Sequence, residues 1–208
     1  MFYTYSILFF IYSFLGWLME VILSFYNEHK FVNRGFLLGP CCPIYGFGSL
    51  LLYFLLKSYT NNFIVLFILT MFICSLLEYI TSYIMEKIFK LRWWDYTNMK
   101  YNLNGRICLE TMTPFSILGA LAIKYVTPYL INVMNKFSLK VTLTISIILI
   151  TIFIVDIIIS LIIVFRLKLV AKDKKDSTID IKKAISKFIK NDLYVYERIL
   201  KAFPNLNR

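Results

Sequence analysis

The chain has little of what soluble catalysis uses. His29 is the only histidine, which excludes any mechanism needing two imidazoles and argues against a Ser–His–Asp triad. The four cysteines, Cys41, Cys42, Cys74 and Cys108, include no CxxC pair, and the adjacent Cys41–Cys42 is a poor zinc signature. They read as small apolar packing residues, and neither a metal site nor a cofactor is expected. No GxxxxGK[ST] run is present, so the chain has no phosphate-cradling loop of its own and any ATPase must be a separate subunit. HExxH and GxSxG are missing too, which removes the commonest zinc-hydrolase and nucleophile-elbow signatures. Charge is scarce: 17% of residues are Asp, Glu, Lys or Arg, against about 25% in a soluble domain.

What fills the space is apolar. Hydrophobic residues make up 59% of the 208 and aromatic residues 18%, with a mean hydropathy of +0.69. Runs such as Phe63–Ile84 and Val141–Leu167 match or exceed the ~20 residues that cross a bilayer core. The expected fold is all-α: a polytopic transmembrane helix bundle of about five spans, at 3–25, 36–56, 63–85, 106–127 and 141–167. Spans two and four are expected to be broken, and a C-terminal amphipathic helix follows the bundle. Residues 1–167 form the bundle and 168–208 a basic tail. Residues 1–25 lack a basic leading segment and carry Glu20, so they are expected to be a retained first span rather than a signal peptide.

Orientation follows from Lys and Arg in short loops. The loop after span three carries Lys87, Lys90, Arg92 and Lys100, with Arg106 at its edge, and the first loop carries Lys30 and Arg34. From Arg166 on there are twelve basic residues against five acids, seven of the chain's eleven net positive charges. In a five-span arrangement all three regions share one side. The chain is therefore expected to be a multi-pass protein of the cytoplasmic membrane, with the N-terminus outside and the C-terminus in the cytoplasm.

Spans two and four carry helix breakers. Gly39-Pro40-Cys41-Cys42-Pro43 opens span two, and Pro114 with Gly119 lies in span four. Proline removes a backbone donor and crowds the preceding turn, so Gly39, Pro40, Pro43 and Pro114 mark irregular backbone. At Pro114 an ordinary kink suffices, whereas the double-proline segment reads as a short loop or half-helix. Asn33, Pro43 and Gly48 recur as Asn104, Pro114 and Gly119 at one offset, a pattern consistent with two parallel repeats.

Each apolar stretch that carries a carboxylate carries it at a cost. Glu20, Glu78, Glu110 and Asp156 would each be penalised by about 2.5–3.5 kcal/mol at mid-helix, so they are expected to face protein or water with a partner. At 1.5 Å per residue, Glu20, Glu78 and Glu110 fall within about 12 Å of the cytoplasmic boundary, and Asp156 lies deeper. Arg34, Arg92 and Arg106 flank the same boundary. These residues form a candidate solute or ion path: the acids line a hydrated vestibule open to the cytoplasm, the arginines set its charge, and Asp156 acts as a relay. The competing reading is structural, with interhelical pairs that only fix packing; Arg106 and Glu110, spaced i, i+4, would then bridge one helix face. Trp93-Trp94-Asp95-Tyr96 reads as an interfacial aromatic belt, with Asp95 as a partner for Arg92 or Arg106.

In the tail, Ile181, Ile185, Phe188, Ile189 and Tyr196 make an apolar stripe among basic residues, the pattern of a helix lying on anionic lipid. Docking on a partner is the alternative, and no motif supports nucleic acid.

Several short motifs carry a resemblance. Phe14-Leu15-Gly16-Trp17 with Glu20, Asn33-Arg34-Gly35-Phe36, Gly39-Pro40 and Pro43-Ile44-Tyr45-Gly46 resemble the CmpB-like family, small bacterial polytopic membrane proteins labelled type IV ABC-transporter permeases. So do Leu77-Glu78, Trp94-Asp95-Tyr96 and Asn104-Gly105-Arg106-Ile107-Cys108-Leu109. The resemblance covers roughly 8–125 and leaves span five and the tail unmatched. It implies an inner-membrane permease-like role and brings no catalytic residues. The leading reading is a permease-like subunit that moves a small solute across the cytoplasmic membrane, with an ATPase subunit in trans touching the first and third loops, both cytoplasmic in this topology. Two rivals stand beside this reading: an enzyme acting on a lipid headgroup, and a non-transporting scaffold or sensor.

Overall fold

The computed structural model describes residues 1–29, 35, 37–89, 92 and 94–172, with the side chains of 27, 28, 89 and 164–172 excepted. Arg34, Trp93 and the amphipathic tail helix lie outside the described residues.

The elements are helical almost throughout. They are α1 (Phe2–Glu28), α2 (Pro43–Leu56), α3 (Phe63–Phe89), a short hairpin of β1 (Asn102–Leu103) and β2 (Ile107–Cys108), α4 (Leu109–Leu121), a π-helical segment (Ala122–Val126), α5 (Thr127–Met134) and α6 (Leu139–Lys172). Among the described residues, four helical stretches are long and apolar enough to cross a membrane: Phe2–Tyr26, Phe63–Ile88, Leu109–Met134 and Leu139–Ile163. Their length follows from the solvent. Where no water can satisfy backbone groups, an unbroken helix pairs every N–H and C=O internally.

The second expected span differs from the other four. Residues 37–42 are not helical and α2 has 14 residues, about 21 Å of helix against a core of about 30 Å. Gly39 and Pro40 lie in the non-helical stretch and Pro43 is the first residue of α2, where a missing N–H costs nothing. Span two is thus a half-helix, as the double proline requires, and the described residues hold four full-length spans beside it. The fourth span reaches further than its hydropathy suggested, to Met134, with a connection of only four residues, 135–138, before α6. Pro114 sits inside α4 without ending it. The carbonyl it leaves without a helical donor is that of Glu110, in the exposed first turn. The irregularity of this span is the wide π turn at Ala122–Val126.

Local signals set the ends. The Asn62 side chain accepts hydrogen bonds from the N–H groups of Ile64 and Val65 (3.1 and 3.2 Å) and caps α3. His29 closes α1 with a positive φ of 52°, the left-handed turn that commonly ends a helix.

Two units emerge from the contacts: Met1–Ser13 with Pro43–Ser146, and Phe14–Cys42 with Ile147–Arg208. The division falls within α1 and α6. In the first unit, Leu52, Leu56, Leu66, Ala120 and Ile123 form the buried core. Tyr5 meets Phe54 and Phe9 meets Phe47, ring centroids 4.8 Å apart in both pairs, so α2 runs antiparallel to the start of α1. Gly119 on α4 lies so close to Thr70 on α3 that an added Cβ would sit 2.8 Å from its methyl group. Lipid offers no hydrophobic drive between helices, so close approach through small residues supplies the contact energy. Ser6 against Ser146 brings the start of α6 to the end of the unit where the chain begins, while the hairpin caps the opposite ends of α3 and α4. In the second unit, Leu37, Val21 and Cys42 are buried, and Leu38–Gly39 meets α6.

Candidate functional site

Two carboxylates organise the polar interior, one in each unit. In the first unit, Glu86 stands near the end of α3. Arg92 Nε bonds one of its oxygens at 3.2 Å, and Arg106 Nη2 pairs with the other at 2.5 Å. Arg106 is the better shielded partner, its side chain 11% exposed. Its guanidinium also donates to Ser82 Oγ at 3.2 Å and lies 5.7 and 5.4 Å from the ring centres of Tyr79 and Tyr83. A planar, weakly hydrated cation suits such a place because it can stack on rings while its edge bonds an acid.

The hairpin brings Arg106 there. Asn104 and Gly105 have φ of 54° and 66°, both positive, as a two-residue primed turn requires, and Asn-Gly is the pair that adopts it most readily. The turn closes through Arg106 N–H to the Leu103 carbonyl at 3.0 Å. A Cβ on Gly105 would lie 2.7 Å from Asp95 Oδ1 and 3.0 Å from Arg92 Nη1, so glycine is required for space as well as dihedral. Trp94 Nε1 donates to the Arg106 carbonyl at 2.9 Å, and Asn104 Nδ2 donates to Tyr79 Oη at 2.9 Å. Asp95 receives the hydroxyl and the N–H of Thr97 and pairs with Arg92 at 3.5 Å. The Thr97 hydroxyl, ahead of the Arg92 charge, holds the Asp95 carboxyl below the ordinary aspartate range despite some burial. Of the two partners offered for Asp95, the structure selects Arg92.

In the second unit, Asp156 turns to backbone. Leu38 N–H donates to its Oδ1 and Gly39 N–H to its Oδ2, each at 2.9 Å. Ser160, one turn further along α6, donates to Oδ1 at 3.2 Å and accepts from Leu38 N–H at 3.3 Å. A Cβ on Gly39 would come 2.9 Å from Oδ2. The break in span two frees backbone donors, and a carboxylate from another helix satisfies them.

The remaining candidates are distributed differently. Glu78 is half-buried on α3 and Glu110 is exposed in the first turn of α4, where the helix dipole favours an acid. Glu20 is half-buried on the part of α1 that belongs to the second unit. Arg106 lies before α4 begins, so it shares no helix face with Glu110; its guanidinium goes to Glu86. Glu86 was missed as a candidate because it stands at a span end, where a charge looks interfacial. A signal was present: Tyr79, Ser82, Tyr83 and Glu86 recur at i, i+3, i+4 and i+7, one helix face. Ser160 was missed because a serine in an isoleucine-rich span carries no such pattern. Among the described residues, no three His, Cys, Asp or Glu side chains are grouped to hold a metal.

Long apolar helices, a half-helix and polar groups held in pairs define an integral membrane protein of the helical-bundle class. The chain belongs to the family described as "Putative ABC-transporter type IV", whose model matches residues 7–161. The match runs well into α6, so span five is part of the family region, beyond the 8–125 that the short motifs covered. No curated protein and no solved structure matches the chain.

Proposed function

We propose that the chain is a permease-like subunit that moves a small solute across the cytoplasmic membrane and works with a separate ATPase. The observation that carries this reading is the non-helical stretch of span two, with its backbone donors held by Asp156. Irregular backbone among membrane spans is tolerated where it is buried in protein or lines a wet cavity, and discontinuous helices in transporters mark the solute site. Glu20, Glu78, Glu110 and Asp156 line the path, with Arg34 and Arg106 setting its charge. Residues 1–167 do the membrane work and 168–208 form a cytoplasmic tail that lies on anionic lipid. The N-terminus faces outward, and the ATPase grips the first and third loops; the latter carries the hairpin clasped by Glu86.

The test is purification of the tagged chain from membranes with identification of what accompanies it, together with solute pools compared between deletion and complemented cells. A nucleotide-hydrolysing subunit should copurify. Glu20→Gln, Glu78→Gln and Asp156→Asn should abolish complementation while membrane insertion and expression stay at the wild-type level. Wild-type complementation by all three, with no ATPase recovered, overturns the reading. A label introduced at Asn98 should be shielded in intact cells and reactive in inverted vesicles; the opposite pattern inverts the topology.

A further inference from the structure

The clasp around Glu86 leaves one positive charge over. Lys87, Arg92 and Arg106 stand against two carboxylates, Glu86 and Asp95, and both acids are taken by the arginines. Lys87 is exposed and, among the described residues, pairs with no acid; its ammonium lies 6.0 Å from the Tyr83 ring centre. Tyr83, Glu86, Lys87 and Arg106 line an open cleft of about 260 Å³. This cleft sits where the apolar run of α3 ends, at Ile88.

A second observation is independent of that charge. Leu76, Ile80 and Ile84 are 50%, 46% and 46% exposed and follow one another at i+4, so they form a single ridge on α3. Tyr83 and Lys87 continue that ridge into the cleft. An apolar ridge about two turns long that leads into a cationic, aromatic-walled cleft at a span end matches one kind of ligand in outline. Acyl chain lies along the ridge, and an anionic phosphate sits beside the uncompensated lysine.

We infer that the Tyr83–Lys87–Arg106 cleft is a binding site for the phosphate of an anionic membrane lipid, whose acyl chain lies on the Leu76–Ile80–Ile84 ridge. Lys87 supplies a charge that no carboxylate among the described residues answers. Arg106, held in place by Glu86 and Ser82, lines the cleft beside it. Tyr83 sits at the junction of headgroup and chain, where an amphipathic ring is best placed. The inorganic anion shares the phosphate chemistry but gains nothing from the ridge, which favours the lipid.

The experiment uses the full chain in detergent and counts lipid retained by native mass spectrometry after titration with phosphatidylglycerol, phosphatidylcholine or inorganic phosphate. Wild-type protein should retain phosphatidylglycerol over phosphatidylcholine, and inorganic phosphate at the same concentration should not displace it. Lys87→Gln should weaken that retention about fivefold, the size of one lysine's contribution at an anionic surface. Lys136→Gln with Lys140→Gln, two exposed lysines that do not line the cleft, serves as the control and should retain the lipid as wild type does. Equal retention by wild type and Lys87→Gln overturns the inference, as does equal loss in the Lys136/Lys140 control. Retention of phosphatidylcholine equal to phosphatidylglycerol removes the role of charge. Displacement by inorganic phosphate replaces the lipid with a free anion and overturns the assignment of the ridge.

Discussion

Glu86 and Asp156 answer the same difficulty in opposite ways. Both are acids on apolar helices, where an unpartnered carboxylate is costly. Glu86 answers charge with charge, dividing its two oxygens between Arg92 and Arg106. Asp156 meets no ion partner among the described residues and answers backbone instead, through Leu38 and Gly39, with Ser160 beside them. The first arrangement fastens a loop to a helix end; the second holds a broken span. The difference teaches that an acid in an apolar run announces a need for a partner without saying whether the partner is a side chain or the main chain.

The comparison breaks first at Asp156. Replacing it with leucine leaves two backbone donors without their acceptor, at about 1–3 kcal/mol for each buried unsatisfied group. Allowing for the Ser160 hydroxyl, a loss of about 2–4 kcal/mol is expected, read as the fall in the thermal midpoint in detergent. Asp156→Asn keeps one acceptor oxygen and should fall between leucine and wild type. If asparagine and leucine behave alike, hydrogen bonding to Leu38 and Gly39 is not what Asp156 does.

The ion-paired cluster should yield less. Removing one partner of a fully buried pair costs about 3–5 kcal/mol, but Glu86 is about a third exposed and solvent screens it, so about 1–2 kcal/mol is expected for Arg106→Gln. Glu86→Gln should cost more than Arg106→Gln, because it leaves two guanidiniums facing one another without their shared acid. The reverse order would mean that Arg106 matters through its stacking on Tyr79 and Tyr83 rather than through its charge.

Gly105→Ala should cost a similar amount and act more locally. A left-handed conformation costs a residue with a Cβ about 1–2 kcal/mol, and at this position Asp95 and Arg92 must also move. The expected readout is faster amide exchange across 94–108 with exchange in α6 unchanged. Uniform acceleration through both regions would show that the hairpin and the spans unfold together.

The smallest effect is pH. The folded Asp95 carboxyl titrates below its ordinary value, so its contribution is full above the unfolded-state pKa and is lost as pH falls through the folded one. Amide protection of the hairpin should therefore hold constant from neutrality down to the ordinary aspartate range and decline below it. Asp95→Asn should lessen that acid-range decline without abolishing it, because the Glu86 carboxylate also holds the hairpin through Arg106. A decline near neutrality would point to a different group.

Much of the fold was legible because membrane solvation acts locally. Length and apolarity alone locate Phe63–Ile88 and Leu139–Ile163, since each must satisfy its own backbone. Gly39-Pro40 and Pro43 announce a break, and the break is there. Pro114 carries a similar signal, yet α4 continues through it, because so near the start of a helix the lost donor concerns a first-turn carbonyl. The wide turn at Ala122–Val126 follows no residue that marks it. Four acids were candidates on their cost alone, whereas the Asn104-Gly105 pair that delivers Arg106 is a turn signal that went unread. Glu86 escaped because its helical face of Tyr79, Ser82 and Tyr83 gains meaning only when Arg106 arrives.

By itself, the order of residues determined that this protein lives in a bilayer, roughly where its long helices lie, and that span two is not a plain helix. Those properties depend on transfer from water and on backbone bonds between near neighbours, and both are set within a few turns of chain. Tertiary structure alone decided which donors each acid serves. Leu38 and Asp156 stand 118 residues apart, and hydrogen bonds and ion pairs act over a few ångströms of space, whatever the separation along the chain.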